Sequence, residues 1–258
     1  MENIKFLNCK INLLNTRARR RRAKRGDEGK LQRRKTSSTK VFVPRPETEF
    51  WVQKAIKEIK KIKNIPSTDS GDIPFQENLS AESRFKILDI FAGSGCIGIA
   101  VLKACPESCQ KVDFVDIDEK ALQEIKINLK ENNIEKERYR IIKSNIFENI
   151  KSEKYNIIFA NPPYVALERI SEVDEEVLEN EPWTALFAGS DGMVIIERFL
   201  KEVKSHLKKN GIIYLEFDPF QKEKIKNILK KQGFYFCFCK DQFQKTRWVK
   251  IYADTKKS

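Results

Sequence analysis

A chain of 258 residues, 40% of them hydrophobic, can bury a sizeable core in one large domain or a domain with an appendage. The net charge of +13 is lopsided: residues 1–40 hold 14 Lys or Arg against 3 acidic residues, and the rest of the chain is nearly neutral. No apolar run reaches the ~20 residues of a membrane span, and no secretory h-region opens the chain, so a cytoplasmic protein is expected.

The first segments, Ile4–Leu14 and Lys40–Glu49, read as two short strands, giving an N-terminal β-hairpin over residues 1–46. Between them loops the basic stretch Asn15–Lys40, too charged and too poor in apolar residues to fold alone. It is either an arm for RNA, the ribosome or an acidic protein, held through phosphate or carboxylate contacts, or a solvated insertion. A transit peptide fits less well, because Glu2, Asp27 and Glu28 interrupt it. Residues 47–84 form a helix and a polar linker. Phe50, Val52, Ala55, Ile56, Ile59 and Ile62 recur at helical spacing, with Trp51 as packing, and Pro66, Gly71 and Pro74 mark the linker.

From residue 85 to 258 strands and helices alternate. Strands are expected at Lys86–Ile90, Lys111–Asp116, Arg138–Ser144, Tyr155–Ala160 and Gly211–Phe217, and helices near 96–104, 118–131, 191–208 and 219–232. Two further apolar runs, Phe234–Cys239 and Arg247–Ala253, have no helix between them and suggest an antiparallel hairpin at a sheet edge. The fold class is therefore α/β, a mostly parallel sheet with helices on both faces.

Cys9, Cys96, Cys105, Cys109, Cys237 and Cys239 form no CxxC pair, and His206 is the single histidine. No metal site is expected. His206 lies in a lysine-rich helix end, suited to a surface or capping role, so nucleophilic Ser-His or Cys-His chemistry is not expected either.

Three places carry chemistry. In "ILDIFAGSGCIG", a strand turns through Gly93-Ser94-Gly95 into a helix, so a ligand can approach the backbone and meet free N–H donors. The match to GxGxxG suits nicotinamide, flavin and S-adenosylmethionine sites alike, and also a plain tight turn. The next strand ends in Asp116, placed to accept hydrogen bonds from both ribose hydroxyls of a nucleoside cofactor, while Asp118 reads as the N-cap of the following helix. The fourth strand stops at Asn161-Pro162-Pro163-Tyr164, where neither proline has an N–H to continue a ladder.

Together these three elements resemble the class I S-adenosylmethionine-dependent methyltransferases that act on planar nitrogen. That family has a Rossmann-like, seven-stranded, mostly parallel sheet with an antiparallel C-terminal edge. The resemblance implies that Asn161 and the Pro162 carbonyl accept the hydrogens of a substrate NH2 while Tyr164 packs on its plane. Two fixed acceptors orient a delocalised nitrogen and favour the charge it develops, so no strong base is needed, and because the methyl donor is an already activated sulfonium, no metal is needed either.

"VPRPETE" (Val43–Glu49), "NEPWTALFAGSDGM" (Asn180–Met193), "LKKNGIIYLEF" and "KDQFQKTRWV" narrow the resemblance to the release factor glutamine methyltransferases, the HemK family. These methylate the glutamine N5 of the Gly-Gly-Gln tip of peptide chain release factors. The resemblance implies Phe91, Ala92, Gly93, Ser94 and Gly95 along the S-adenosylmethionine, Asp116 on its ribose, Ile146 on its adenine, and Asn161 near both cofactor and substrate. Asn161, Pro162 and Tyr164 would be catalytic, with Pro163 also binding substrate. Arg45, Glu47 and Glu49 would brace the site or orient substrate. Trp183 reads as a wall or packing residue.

The chain departs from the family in carrying Phe91-Ala92 for Gly-Thr, Asn145 for Asp, and Asp218-Pro219 for His-Gly after Glu216. The family's N-terminal helical domain is expected to be missing. Two other readings stay open: a nucleic-acid methyltransferase acting on an adenine or guanine amine of RNA or DNA, which the basic segment favours, and a non-catalytic binding protein of the same fold.

Overall fold

The computed structural model describes residues 2–13, 44–62, 84–150, 152–173, 175 and 186–253. The basic segment, linker residues 64–83 and Trp183 lie outside them.

The N-terminal hairpin does not pair as expected. β1 (Glu2–Phe6) runs antiparallel to β2 (Cys9–Leu13) around Leu7 and Asn8. Both turn residues are left-handed, with φ of 45° and 65°. A two-residue type I′ hairpin turn demands positive φ at both central positions, and Asn tolerates it well. Of the expected partner strand, Lys40–Val43 lies outside the described residues, and Pro46–Glu49 instead opens α1 (Pro46–Ile62). A proline in the first turn loses no hydrogen bond, and Glu47 and Glu49 complement the positive helix end. The hairpin buries Phe6, Cys9 and Ile11. Asn132 clasps it, accepting from the Lys10 N–H (3.1 Å) and donating to the Lys10 carbonyl (2.6 Å).

The remaining strands are β3 (Phe85–Ile90), β4 (Cys109–Asp116), β5 (Tyr139–Lys143), β6 (Tyr155–Ala160), β7 (Leu207–Glu216), β8 (Tyr235–Lys240) and β9 (Thr246–Tyr252). They form one seven-stranded sheet in the order β5-β4-β3-β6-β7-β9-β8. The first five pair in parallel, and β9 joins β7 and β8 antiparallel. The expected edge hairpin is therefore present. Because the sheet is covered on both faces, its central strands read as continuous apolar runs; every residue of β6 is buried.

Side chains alternate between two cores. Ile87, Phe114, Phe159 and Tyr214 face one, with α1, α2 (Cys96–Ala104) and α3 (Glu119–Glu131). Leu88, Val115, Ile158 and Ile213 face the other, with α4 (Val194–Glu202) and α5 (Lys222–Lys231). No helix among the described residues is long and apolar enough to cross a membrane.

β7 begins at Leu207, so the helix expected over 191–208 ends early, in a 3-10 turn at Val203–His206. His206 is not a cap. Its ring stacks on Phe147 at 4.3 Å between centroids, and its Nδ1 lies 3.1 Å from the Glu153 carbonyl.

Gly98 shows how closely α2 meets the sheet. A Cβ there would stand 2.4 Å from the Phe114 ring and 2.9 Å from a Val112 methyl. Overpacking of this kind costs about 1–3 kcal/mol, so Gly98→Ala should lower the denaturation midpoint with an unchanged m-value. A midpoint equal to the parent's would show that Phe114 can move aside.

Candidate active site

The sheet order reverses between β3 and β6, leaving a crevice beyond their carboxyl ends, where open α/β sheets hold ligands. A cavity of about 350 Å³ opens there. Its lining includes every residue the sequence singled out for the loop, the acid and the diproline, except Gly95. This size lies within the range of small-ligand sites.

One half is built by the turn after β3. Gly93 and Gly95 hold φ of 54° and 75°, which glycine adopts freely. Asp116 ties the turn down: its carboxylate accepts from the N–H of Gly93 (2.8 Å) and of Asp118 (2.9 Å). Burial is the main cause raising its pKa. Asn128 supports the turn from behind by donating to the Ser94 carbonyl at 2.9 Å. Asp118 caps α3 as expected, accepting from Lys120 N–H. Deeper in, burial pushes Asp89 up to about 8; one carboxyl oxygen accepts from Gly98 N–H at 2.9 Å, and the other has no partner among the described residues.

The Phe91 departure has a structural meaning. Its φ of 61° is one that favours glycine, so a residue with a Cβ there costs about 1–2 kcal/mol. Phe91 gains an edge contact with Phe199 in return, with centroids 5.9 Å apart. Ile146 is likewise left-handed (φ 56°) and, with Ile117, gives the cavity an apolar wall. Asn145 also lines the cavity and donates its amide to Glu148 at 2.9 Å.

The other half is Asn161-Pro162-Pro163-Tyr164, and it is braced by residues distant in sequence. Glu216, at the end of β7, is 1% exposed. Its Oε2 accepts from Trp51 Nε1 (2.6 Å) and Thr48 Oγ1 (2.8 Å), and its Oε1 from the Tyr164 hydroxyl (3.0 Å). Burial raises the Glu216 pKa, while these three donors and Arg45 pull it down. Burial and the neighbouring carboxylate hold the Tyr164 phenol well above its ordinary pKa, so it remains a donor. Thr48 Oγ1 also receives a long contact, 3.4 Å, from Asn161 Nδ2. Behind the loop, buried Gln221 donates to the carbonyls of Tyr164 (2.8 Å) and Gly192 (3.0 Å).

The "PRPETE" residues divide. Arg45 and Thr48 line the cavity, whereas Glu49 turns to the hairpin and accepts from Leu7 N–H at 3.0 Å. Trp51 is more than packing, since it donates to Glu216 as well as lying 6.1 Å from Phe159 and 6.2 Å from Trp248. Sequence reasoning missed Thr48, Ile117 and Gln221, and gave Glu216 no role. A polar Thr48 three residues before Trp51, on the buried stripe of α1, was the available signal for the first.

Gly192 is the tightest point of the brace. A Cβ there would lie 2.2 Å from the Tyr164 carbonyl oxygen and 2.6 Å from Gln221 Nε2, at φ 73°. Gly192→Ala should therefore cost roughly 1–3 kcal/mol of stability and depress turnover at temperatures where the variant stays folded. Parental turnover would show that the loop tolerates displacement of this carbonyl.

The methyltransferase small domain family matches residues 66–182. A release factor glutamine methyltransferase of Streptococcus pneumoniae is 35% identical over 214 residues, 82% of this chain and 67% of the relative. One from Thermodesulfovibrio yellowstonii is 31% identical over 194 residues, covering 75% of this chain and 62% of its own. The chain thus spans between three-fifths and two-thirds of these relatives. Among solved structures, ribosomal protein L11 methylase from Lactobacillus delbrueckii subsp. bulgaricus superposes with a TM-score of 0.52 at 16% identity, over 82% of this chain and 79% of that one. That likeness carries the fold; the identity to the curated relatives carries more, and by it the chain belongs to the release factor glutamine methyltransferase family.

Proposed function

We propose that this protein transfers a methyl group from S-adenosylmethionine to the side-chain amide nitrogen of the glutamine in the Gly-Gly-Gln motif of a peptide chain release factor, in the cytoplasm. The observation that carries this reading is the junction of two half-sites in one cavity. The Asp116-tethered glycine turn and the Asn161–Tyr164 segment both line it.

The residues fit the cofactor. Asp116 offers a carboxylate for two ribose hydroxyls, and the turn from Phe91 to Gly95 offers backbone with no side chain at its two glycines. Ile117 and Ile146 offer an apolar wall for a flat base. When bound, S-adenosylmethionine supplies a methyl group already activated on a sulfonium. The chain's own work is then positional. Asn161 Oδ1 and the Pro162 carbonyl accept the two amide hydrogens and turn the nitrogen lone pair toward the methyl group. Pro163 stiffens the Pro162 carbonyl, and Tyr164 gives the amide a flat wall. As the nitrogen gains the methyl, the methyl–sulfur bond would break with its electron pair left on sulfur, giving S-adenosylhomocysteine, and one N–H proton would pass to water. The shared name of the relatives is what points to a glutamine amide over a nucleobase amine.

The test is a labelling experiment with methyl-labelled S-adenosylmethionine. A release factor should take label, its Gln-to-Ala form at the Gly-Gly-Gln tip should not, and total RNA should remain unlabelled. Label on RNA alone would overturn the reading and favour a nucleic-acid substrate.

A further inference from the structure

An Asn side chain serves as an acceptor only if its oxygen, not its NH2, faces the substrate. The two ends of the amide are nearly the same size, so shape alone does not set the orientation. Something must fix it. The chain of hydrogen bonds behind Asn161 does so by elimination.

Trp51 Nε1 can only donate, so Glu216 Oε2 at 2.6 Å must be an acceptor. Thr48 Oγ1, 2.8 Å from the same oxygen, spends its single proton on it. With that proton committed, Thr48 Oγ1 has only lone pairs left for Asn161, 3.4 Å away. Asn161 must therefore present its NH2 to Thr48, and its Oδ1 is turned the other way. Thr48 and Glu216 are each 1% exposed, and among the described residues it is Glu216 Oε2 that accepts the Thr48 hydroxyl. The contact is long, as catalytic hydrogen bonds often are before substrate arrives.

We infer that Thr48 and Glu216 are positioning residues that set the polarity of Asn161, relaying a fixed hydrogen-bond direction from the buried carboxylate to the amide so that an oxygen faces the substrate NH2. This inference rests on the amide-clamp reading above and adds the device that orients the clamp. In its absence the Asn161 amide can turn over and oppose one NH2 to another, a repulsive pairing that leaves a buried donor unsatisfied.

Thr48→Val keeps the shape of the side chain and removes the hydroxyl. It should lower kcat by about tenfold or more, the loss of one oriented hydrogen bond, while the dissociation constant of S-adenosylmethionine stays near the parent's and the melting temperature falls by roughly a few degrees, since buried Glu216 loses one of its donors. Thr48→Ser, which restores the hydroxyl, should restore turnover. In an Asn161→Ala background, Thr48→Val should add nothing, because no amide is left to orient. If Thr48→Val folds poorly, Thr48→Ala takes its place in the same comparison. Turnover within about twofold of the parent in Thr48→Val, or full additivity with Asn161→Ala, would overturn the relay and leave the clamp standing. Full turnover in Asn161→Ala itself would overturn clamp and relay together.

Discussion

Replacing Asn161 with alanine should lower turnover on the release factor by about 10²–10³-fold, the usual cost of removing one preorganised polar partner of a reacting group. Cofactor affinity should change by roughly threefold or less, because Asp116, the proposed ribose acceptor, and the glycine turn are held by their own hydrogen bonds, at 2.8 and 2.9 Å. The split follows from geometry. Asn161 sits at the end of β6, and its amide contacts Thr48, not the glycine turn. Single-turnover kinetics with a saturating release factor, beside a calorimetric titration with S-adenosylmethionine, measure the two quantities separately. Unchanged turnover would refute the clamp; a collapse of cofactor binding would show that Asn161 belongs to the other half-site.

Asp116→Ala should have the converse signature. Two charge-assisted hydrogen bonds to ribose hydroxyls would be lost, each about 1.5–3 kcal/mol, so the cofactor dissociation constant should rise by about 10²–10⁴-fold. A second loss accompanies it. The same carboxylate fixes the N–H groups of Gly93 and Asp118, and without it the turn has fewer restraints in the shape a ligand needs. Asp116→Asn keeps one acceptor oxygen and should fall between the two. A titration in which Asp116→Ala binds S-adenosylmethionine like the parent would remove Asp116 from the site.

Much of this was legible in the sequence, for reasons that differ by element. The central strands read clearly because both faces of the sheet are covered, and residues such as Ile157–Ala160 are apolar without a break. The glycine turn, Asp116 and the diproline were legible because each stands at the carboxyl end of a strand, and parallel strands bring those ends to one edge. The hairpin was misread because an alternating run does not name its partner. Leu7-Asn8 is a turn by virtue of its left-handed φ values, and it lacks the Asn-Gly or Asp-Gly order that signals one. The brace was illegible for another reason. Thr48 and Glu216 are 168 residues apart, and Gln221 and the Tyr164 carbonyl are 57 apart. No periodicity connects such pairs. The departure at Phe91 was visible as a departure, but its backbone conformation was not.

Glu216 has a consequence for how the protein is made. Domains emerge from the ribosome from the N-terminus onward, at roughly 5–20 residues per second. The glycine turn, Asp116 and the diproline are all synthesised before β7, and α1 long before. Until Glu216 is out, Thr48 and Trp51 have no carboxylate to donate to, and Tyr164 has no acceptor for its hydroxyl. Before that point the diproline side of the cavity lacks the brace that Glu216 gives it, whereas the glycine turn already has Asp116 to hold it. The carboxylate that ties α1 to the diproline segment thus comes with the fifth parallel strand, which pairs beside the fourth and closes contacts between residues 168 apart in the chain.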